Sequence, residues 1–268
     1  MLPILFHIFE IAIPAWHTLV MLAAIFAFFY AQFALRKIGD ERCLNALPFL
    51  FTLAYVSGWF GSRALGIFLE EPERLSFSEF ILALIQMGPM VFYGGVISGT
   101  VSVVIAILWK KLPIGILFDV AIPTVVLGLG VGRIGCFLNG CDYGIPLSNN
   151  NPKWWSHINP VLGDNVYRYP TQLQECLASL TLAYIGAYCF ARKIEFVKQY
   201  PTRLGSILLL ASALNRFGNE IFRGDFRGSF LDTSFSTSQG ISLILGGTGL
   251  FLLVRSLVLG KQNNVPLV

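Results

Sequence analysis

Residues 125–144 read Val125-Val-Leu-Gly-Leu-Gly-Val-Gly-Arg-Ile-Gly-Cys-Phe-Leu-Asn-Gly-Cys-Asp-Tyr-Gly144, an apolar and glycine-rich run that carries one cation and then ends in polar residues. The cation is Arg133. A charge inside a membrane helix costs about 3 kcal/mol or more, so it usually faces a protein interior or a wet cavity. The stretch therefore predicts a membrane helix with an anion-binding site near its polar end.

The composition of the whole chain agrees with a membrane setting. The 268 residues are 55% hydrophobic and only 13% charged, with a mean hydropathy of +0.67, whereas soluble domains have about 25% charged residues. The net charge is +4, and the basic residues are spread over the loops instead of clustering on one face of the protein. This distribution argues against a nucleic-acid partner. We predict an all-α, polytopic membrane protein that forms a single integral-membrane domain over residues 1–268.

Seven segments are long and apolar enough to be predicted as spans, because a bilayer-spanning helix needs about 20 mostly apolar residues. They lie at about 17–35, 46–69, 90–109, 115–138, 171–191, 205–222 and 239–259. With the N-terminus outside, the inside loops hold eleven Lys and Arg residues and the outside loops hold five. The positive-inside rule therefore predicts seven transmembrane helices with the N-terminus outside and the C-terminus inside.

Two long polar segments, 139–170 and 223–238, fall on the outside in this topology. Trp154 and Trp155 in the first segment suit either a plain interfacial anchor or a lid. The N-terminus lacks a basic region and a small-residue cleavage site, so we expect a short external segment that is retained.

The polar end of the quoted run resembles a known signature. Gly132-Arg-Ile-Gly-Cys-Phe-Leu-Asn-Gly-Cys-Asp-Tyr-Gly144 is similar to the pattern Gly-Arg-x-Gly/Ala-Asn-Phe-aliphatic-Asn-x-Glu-x-x-Gly of the prolipoprotein diacylglyceryl transferase family. Seven of the nine defined positions match, namely Gly132, Arg133, Gly135, Phe137, Leu138, Asn139 and Gly144. The two departures are Cys136, where the family has Asn, and Cys141, where it has Glu.

Further stretches resemble the family in the same order along the chain, which favours common ancestry. They are Gly61-Ser-Arg-Ala-Leu-Gly66, Phe92-Tyr-Gly-Gly-Val96 with Tyr93 in place of a histidine, Asp119 with Ala121-Ile-Pro123, Tyr169-Pro-Thr-Gln-Leu-Gln-Glu175, Asn215-Arg-Phe-Gly-Asn-Glu-Ile-Phe-Arg223, and Gln239 at the head of the last helix.

The resemblance implies an activity and a location. The family transfers the diacylglyceryl group of phosphatidylglycerol to the lipobox cysteine of a prolipoprotein, at the outer face of the bacterial inner membrane. The implied partners are phosphatidylglycerol and the prolipoprotein signal peptide, and no cofactor is implied. Because a thiolate displaces glycerol phosphate, the enzyme has to hold a lipid, neutralise a leaving phosphate and remove a thiol proton.

Arginines are the predicted phosphate ligands, because a guanidinium fork matches phosphate oxygens and stays charged when it is desolvated. Arg133 and Arg216 are the candidates, and they would stabilise charge on the leaving group. Glu220 lies four residues after Arg216, so it either orients that arginine or forms a simple ion pair within the helix. No acid lies three or four residues from Arg133, which makes a simple pair less plausible there. Arg63 either binds substrate or snorkels to the interface.

The resemblance implies two sets of site residues. The catalytic set is His17, Tyr93, Arg133, Asn139, Arg216 and Glu220. The substrate-binding set is Arg63, Gly94, Gly95, Arg133, Gly144, Gln172, Glu175, Arg216 and Arg223. His17 and Tyr93 occupy positions where the family has a tyrosine and a histidine, so His17 is either a base or an interfacial histidine. Asp142 could replace the missing glutamate only if the helix end shifts.

The two cysteines of the signature leave three interpretations open. Cys136 and Cys141 are predicted on the oxidising outer side, where a disulfide can form, although a separation of five residues is awkward for one. The alternatives are a reactive acceptor thiol and inert packing. The histidines stand only at positions 7, 17 and 157, so no metal-ligand spacing is recognisable and no metal site is predicted.

Two other functions compete with an active transferase. A divergent relative could keep the phospholipid pocket and have lost or changed the reaction, because two signature positions differ. A small secondary transporter would predict inverted repeats and interrupted helices in corresponding halves, and the sequence has neither. The sequence gives no oligomeric state.

Overall fold

The computed structural model describes residues 3–8, 11–70, 76–86, 88, 90–225, 228–230 and 233–262. The elements in chain order are β1 (Ile4–Ile8), β2 (Ile11–Pro14), α1 (Ala15–Ile38), α2 (Glu41–Glu70), α3 (Phe77–Ile85), α4 (Phe92–Trp109), α5 (Ile114–Asn139), β3 (His157–Ile158), β4 (Tyr167–Arg168), α6 (Thr171–Arg192), α7 (Ile194–Gln199), α8 (Arg203–Glu220) and α9 (Thr237–Gln262). The predicted helical class is confirmed. Besides the helices, the described residues form two small antiparallel pairs of strands, β1 with β2 and β3 with β4.

Four helices are long and apolar enough to cross a membrane, which confirms the membrane-protein class. They are Ala15–Ile38, Glu41–Leu69, Ile114–Asn139 and Thr237–Val258. A shorter apolar helix covers Tyr93–Trp109. The remaining two predicted spans coincide with α6 and α8, whose polar side chains build the site described below. Among the four, α5 is the most buried, as expected for a helix that carries a functional charge.

The chain divides into two compact units, one of residues 39–117 and the other of residues 1–38 with 118–268. In the smaller unit, α2 and α4 approach so closely that a Cβ added at Gly94 would lie 2.3 Å from the carbonyl oxygen of Gly61. Ser57 and Ser102 hydrogen-bond across the same contact at 2.7 Å. Glycine and serine at a helix contact are typical of membrane helices, because small residues let the backbones meet.

In the larger unit, α1 has a buried face of small residues and also contacts α6. Ala23, Ala27 and Ala31 are buried along α1, and the hydroxyl of Tyr30 donates to the carbonyl oxygen of Ala183 on α6 at 2.8 Å. This contact holds α6 beside α1.

Asp119 on α5 fixes the start of α8. Its fully buried carboxylate accepts hydrogen bonds from the backbone N–H groups of Thr202 at 2.9 Å and of Gly205 at 2.6 Å, and a carboxylate at a helix N-terminus is favoured by the helix dipole. Arg133 and Arg216 each lie 14 residues beyond this anchor, the first counted from Asp119 and the second from Thr202. At 1.5 Å per residue both arginines stand about 21 Å from the anchor along their helices, so α5 and α8 present them at one level.

Candidate active site

A cluster of charged side chains lies where α5, α6 and α8 meet. We call it the arginine cluster, and its members are Arg133, Asp142, Glu175, Arg216, Glu220 and Arg223.

Glu175 on α6 joins the two arginines that were predicted to hold phosphate. Its Oε2 atom lies 2.9 Å from Nε of Arg133 and 2.9 Å from Nη1 of Arg216. Asn219 donates to the same oxygen at 3.2 Å. The Glu175 side chain is only 7% exposed, so these contacts form away from bulk water. One small anionic group therefore already touches both guanidinium groups.

Glu220 and the start of α9 hold the other side of Arg216. Nη2 of Arg216 lies 3.1 Å from Oε2 of Glu220, four residues along α8, and it donates to Oγ of Ser238 at 2.9 Å. Ser236 donates to Oε1 of Glu220 at 2.9 Å. The predicted ion pair of Arg216 and Glu220 is present. The hydroxyl groups of Ser236, just before α9, and Ser238, on α9, orient the two side chains.

Asp142 links Arg133 to Arg223. One carboxylate oxygen of Asp142 pairs with Nη1 of Arg133, and the other lies 2.6 Å from Nη2 of Arg223. Arg223 is also held by Asp225 at 2.7 Å. Burial alone would lower the pKa of Arg223, but the bonds from Asp225 and Asp142 outweigh burial and raise the pKa above its usual range.

Arg133 has acidic partners although no acid lies three or four residues from it along its own helix. Its partners, Asp142 and Glu175, lie nine and 42 residues away along the chain, beyond the reach of a search along one helix. Asp142 reaches Arg133 because α5 ends at Asn139 and the chain turns back.

A tight turn after α5 places Asp142. Gly140 has a φ of +78°, a left-handed conformation that favours glycine, and a Cβ there would lie 2.6 Å from Val161. Asn159, which is fully buried, donates from Nδ2 to the carbonyl oxygen of Gly140 at 2.7 Å. The turn is thus held from the loop that precedes α6.

The first turn of α6 holds the next two peptide groups. Nε2 of Gln172 donates to the carbonyl oxygen of Cys141 at 2.7 Å, and the hydroxyl of Thr171 donates to that of Asp142 at 2.8 Å. Gly144 lies against the residues just before α6, since a Cβ there would lie 2.3 Å from the carbonyl oxygen of Tyr169. Gln172 and Gly144 thus shape the backbone beside the cluster.

Cys136 and Cys141 are free thiols at the edge of the cluster. The Cys141 thiol donates to the carbonyl oxygen of Cys136 at 3.6 Å. The neighbouring Cys136 thiol lowers the pKa of Cys141, against the opposing effects of burial and of the Asp142 carboxylate, and the Asn139 side chain lowers it as well. Nη1 of Arg133 lies 3.9 Å from the sulfur of Cys136. The two thiols are therefore close neighbours rather than partners in a disulfide.

Several predicted site residues are not among the ion pairs that define the arginine cluster. His17 is exposed and its ring packs edge-on against Trp16; within the described part of the chain, the ion pairs of the arginine cluster do not include it. Tyr93, Gly94 and Gly95 begin α4 in the smaller unit, where both glycines abut α2. Arg63 belongs to the same unit, where it is 4% exposed and its Nε donates to the carbonyl oxygen of Ala83 at 2.9 Å.

Asn219 and Ser238 are contributors that the sequence reasoning missed. Asn219 lies three residues after Arg216, on the same face of α8, and that spacing could have identified it. Ser238 could not have been found in this way because it comes from another helix. The Oδ1 atom of Asn219 and the Oε1 atom of Gln172 are buried without a hydrogen-bond partner among the described residues, so each is an unsatisfied acceptor that calls for an explanation.

Comparisons with known proteins show that the chain is similar to its relatives over almost its full length. The sequence model described as prolipoprotein diacylglyceryl transferase matches residues 3–255. A phosphatidylglycerol–prolipoprotein diacylglyceryl transferase of Clostridium tetani is 29% identical over 94% of this chain and 96% of its own length. Proteins of the same name from a Wolbachia of Drosophila simulans and from Rickettsia felis are 27% and 29% identical, each over 95% of this chain. The resemblance drawn from the signature is confirmed.

Proposed function

The chain belongs to the prolipoprotein diacylglyceryl transferase family, and we propose that it transfers the diacylglyceryl group of phosphatidylglycerol to the lipobox cysteine of prolipoproteins. The observation that carries this proposal is the meeting of Arg133 and Arg216 at one carboxylate, because two guanidinium groups at that distance can also share one phosphate.

Arg133 and Arg216 are proposed to stabilise the negative charge of the leaving glycerol phosphate. As the thiolate attacks the glycerol carbon, the carbon–oxygen bond breaks and charge grows on the phosphate. Arg133 and Arg216, held by Glu175, Glu220 and Asp142, are already oriented when that charge appears, so they stabilise it without rearranging. The acids also let the arginines remain charged among apolar helices.

The two unpartnered amide oxygens suit the lipid headgroup. Phosphatidylglycerol carries hydroxyl groups on its terminal glycerol, and hydroxyls donate to amide oxygens. Gln172 and Asn219, the second of which also bonds to Glu175, offer such oxygens, and Gly144 and Arg223 are proposed as further substrate-binding residues on the resemblance. Arg63, Gly94 and Gly95 are proposed to serve the lipid as well, on the resemblance alone.

The acceptor of the thiol proton is proposed on the resemblance. His17 and Tyr93 are the candidates, and Asn139 contributes a hydrogen bond beside the thiols. A general base contributes about 10² to 10⁴ in rate, so His17→Ala measures whether the imidazole has this role.

The proposed setting is the bacterial inner membrane, with seven spans and the N-terminus outside. The arginine cluster then lies toward the outer face, where a prolipoprotein signal peptide presents its cysteine. Access from the side suits a lipid with two acyl chains.

Purified protein with phosphatidylglycerol and a lipobox peptide tests the function. The expected product is a peptide with a thioether-linked diacylglycerol, together with released glycerol phosphate. A peptide with serine in place of the lipobox cysteine is the control. In cells, the chain should restore growth to a strain depleted of its own transferase.

A second candidate is a phospholipid-binding relative without this reaction. Cys136 and Cys141 favour it, since thiols are weak hydrogen-bonding groups that replace neither an amide nor an acid. Retained phosphatidylglycerol binding with no thioether product would establish this alternative.

A further inference from the structure

We propose that Cys136, Cys141 and Asp142 form a zinc site whose fourth position takes the thiol of the acceptor cysteine. This inference rests on the proposed function and assigns the activation of the acceptor thiol to this site instead of to His17 or Tyr93.

The three side chains have the geometry for one metal ion. The two sulfurs and a carboxylate oxygen all lie within 4.8 Å of one another. Zinc bonds to sulfur at about 2.3 Å, so a tetrahedral site separates its ligand atoms by about 3.8 Å. The two sulfurs thus need to close by about 1 Å at most, and each sulfur and the oxygen by about 1.2 Å at most, because zinc–oxygen bonds are shorter. The cysteine spacing alone did not indicate a site, because the turn at Gly140 creates it.

Within the described parts of the chain the site has three ligand groups, and this number points to a catalytic type of site. Structural zinc sites have four protein ligands, whereas catalytic sites have three and leave one position open for water or substrate. Cys136 is nearly buried, but Cys141 and Asp142 are partly exposed, so the open position can face an incoming peptide.

The surroundings are suited to hold such a centre. The turn that carries Cys141 and Asp142 is fixed by Thr171 and Gln172, so two ligands are positioned in advance. Arg133 and Arg223 bind the carboxylate of Asp142, as the outer-shell partners of ligating carboxylates do.

The arginines also balance the charge of the occupied site. Zinc with two thiolates and one carboxylate carries a charge of −1, and a substrate thiolate makes it −2. The guanidinium groups of Arg133 and Arg223 beside this centre favour both states.

The chemistry balances without any further reactant. The acceptor thiol replaces a zinc-bound hydroxide and its proton leaves with that hydroxide as water. The coordinated thiolate attacks the glycerol carbon that bears the phosphate. The sulfur–carbon bond forms, the carbon–oxygen bond breaks, and the electron pair leaves on glycerol phosphate toward Arg133 and Arg216. The resulting thioether is neutral and a weaker ligand, so the product departs.

Metal titration of the reduced, chelator-treated full chain in detergent tests the site without requiring activity. Wild type should bind one Zn²⁺ per chain, and Co²⁺ should show sulfur-to-metal charge-transfer absorption. Cys136→Ser, Cys141→Ser and Asp142→Asn should each weaken Zn²⁺ binding by about tenfold or more, at least the loss found for outer-shell partners. Cys189→Ser, a free cysteine on α6, is the matched control.

A lipobox peptide tests the open position. Its cysteine should increase the charge-transfer absorption of the Co²⁺ protein, and a serine version of the peptide should not. Failure to bind metal, or equal binding by a Cys136→Ser/Cys141→Ser variant, would overturn the site. Metal binding with no response to the peptide, or transfer unaffected by metal removal, would overturn its role in the reaction. Absence of product under every condition counts against the proposed function, while the titration still decides the site.

Discussion

The Nε atom of Arg133 lies 2.9 Å from Oε2 of Glu175, a residue on another helix and 42 positions away. Arg216 reaches the same oxygen at the same distance. One carboxylate therefore separates two cations that would otherwise repel each other in surroundings of low dielectric constant. A lipid phosphate that binds both arginines has to compete with Glu175 or share the guanidinium donors with it.

Glu175→Gln should destabilise the protein by about 3 kcal/mol, because removing one partner of a buried ion pair leaves charge uncompensated. Phosphatidylglycerol in mixed micelles should restore part of the lost unfolding temperature, since its phosphate can bridge the arginines. Phosphatidylcholine should restore less because its headgroup has no net negative charge. Glu79→Gln, at an exposed helix cap, is the control. Equal unfolding temperatures in both lipids would contradict a phosphate role for this pair of arginines.

Arg133→Lys and Arg216→Lys should each slow transfer by about tenfold or more. An ammonium keeps the charge but loses the planar fork, and one hydrogen bond to a charged group contributes about 1.5–3 kcal/mol. The measurement is the transfer rate over a range of phosphatidylglycerol concentrations. Arg203→Lys is the matched control, because Arg203 lies at the other end of α8 and donates to the carbonyl oxygen of Ser256 at 3.0 Å. A comparable loss in the control would indicate a general effect on α8.

The sequence predicted the helices well because long apolar runs have few alternatives in a membrane. It did not predict α3 or α7, which are short, or the β1–β2 hairpin before α1. In a membrane protein the apolar pattern marks spans but carries little information about turns between them.

The sequence predicted which residues belong to the candidate site better than it predicted which of them form ion pairs. Arg133, Glu175 and Arg216 were all identified from the signature and its neighbours. Their contacts depend on how α5, α6 and α8 pack, and spacing along one helix reports only pairs within that helix. The sequence did not predict that Asp142 pairs with Arg133, because the position of Asp142 depends on the left-handed turn at Gly140.

Gly94→Ala should destabilise the α2–α4 contact by about 1–3 kcal/mol, the usual cost of overpacking. The added methyl group would lie 2.3 Å from the backbone of Gly61. Gly128→Ala is the control, since a Cβ there meets nothing within 4 Å and alanine stabilises a helix interior by about 0.5–1 kcal/mol. Thermal unfolding in detergent measures both. Unchanged stability together with weaker lipid binding in Gly94→Ala would instead support the substrate role that the resemblance implies.

Reporter fusions test the proposed topology. Fusions after residues 40 and 112 should be cytoplasmic, and fusions near 74 and 150 should be external, because eleven of the loop cations then lie inside and five outside. An external reporter at 112 would reverse the orientation and place the arginine cluster at the wrong face for a secreted prolipoprotein.

Restoring the family's residues should separate metal binding from the rest of the site. Cys136→Asn with Cys141→Glu removes both sulfur ligands, so the double variant should lose the Co²⁺ charge-transfer absorption entirely. It also supplies the amide and the acid of the family signature beside Arg133. We therefore expect transfer by this variant to survive treatment with a chelator that stops wild type. The paired measurements are product formation with and without chelator, for both proteins and for Cys189→Ser. If the double variant and wild type respond alike to the chelator, the cysteines are not the source of the metal requirement.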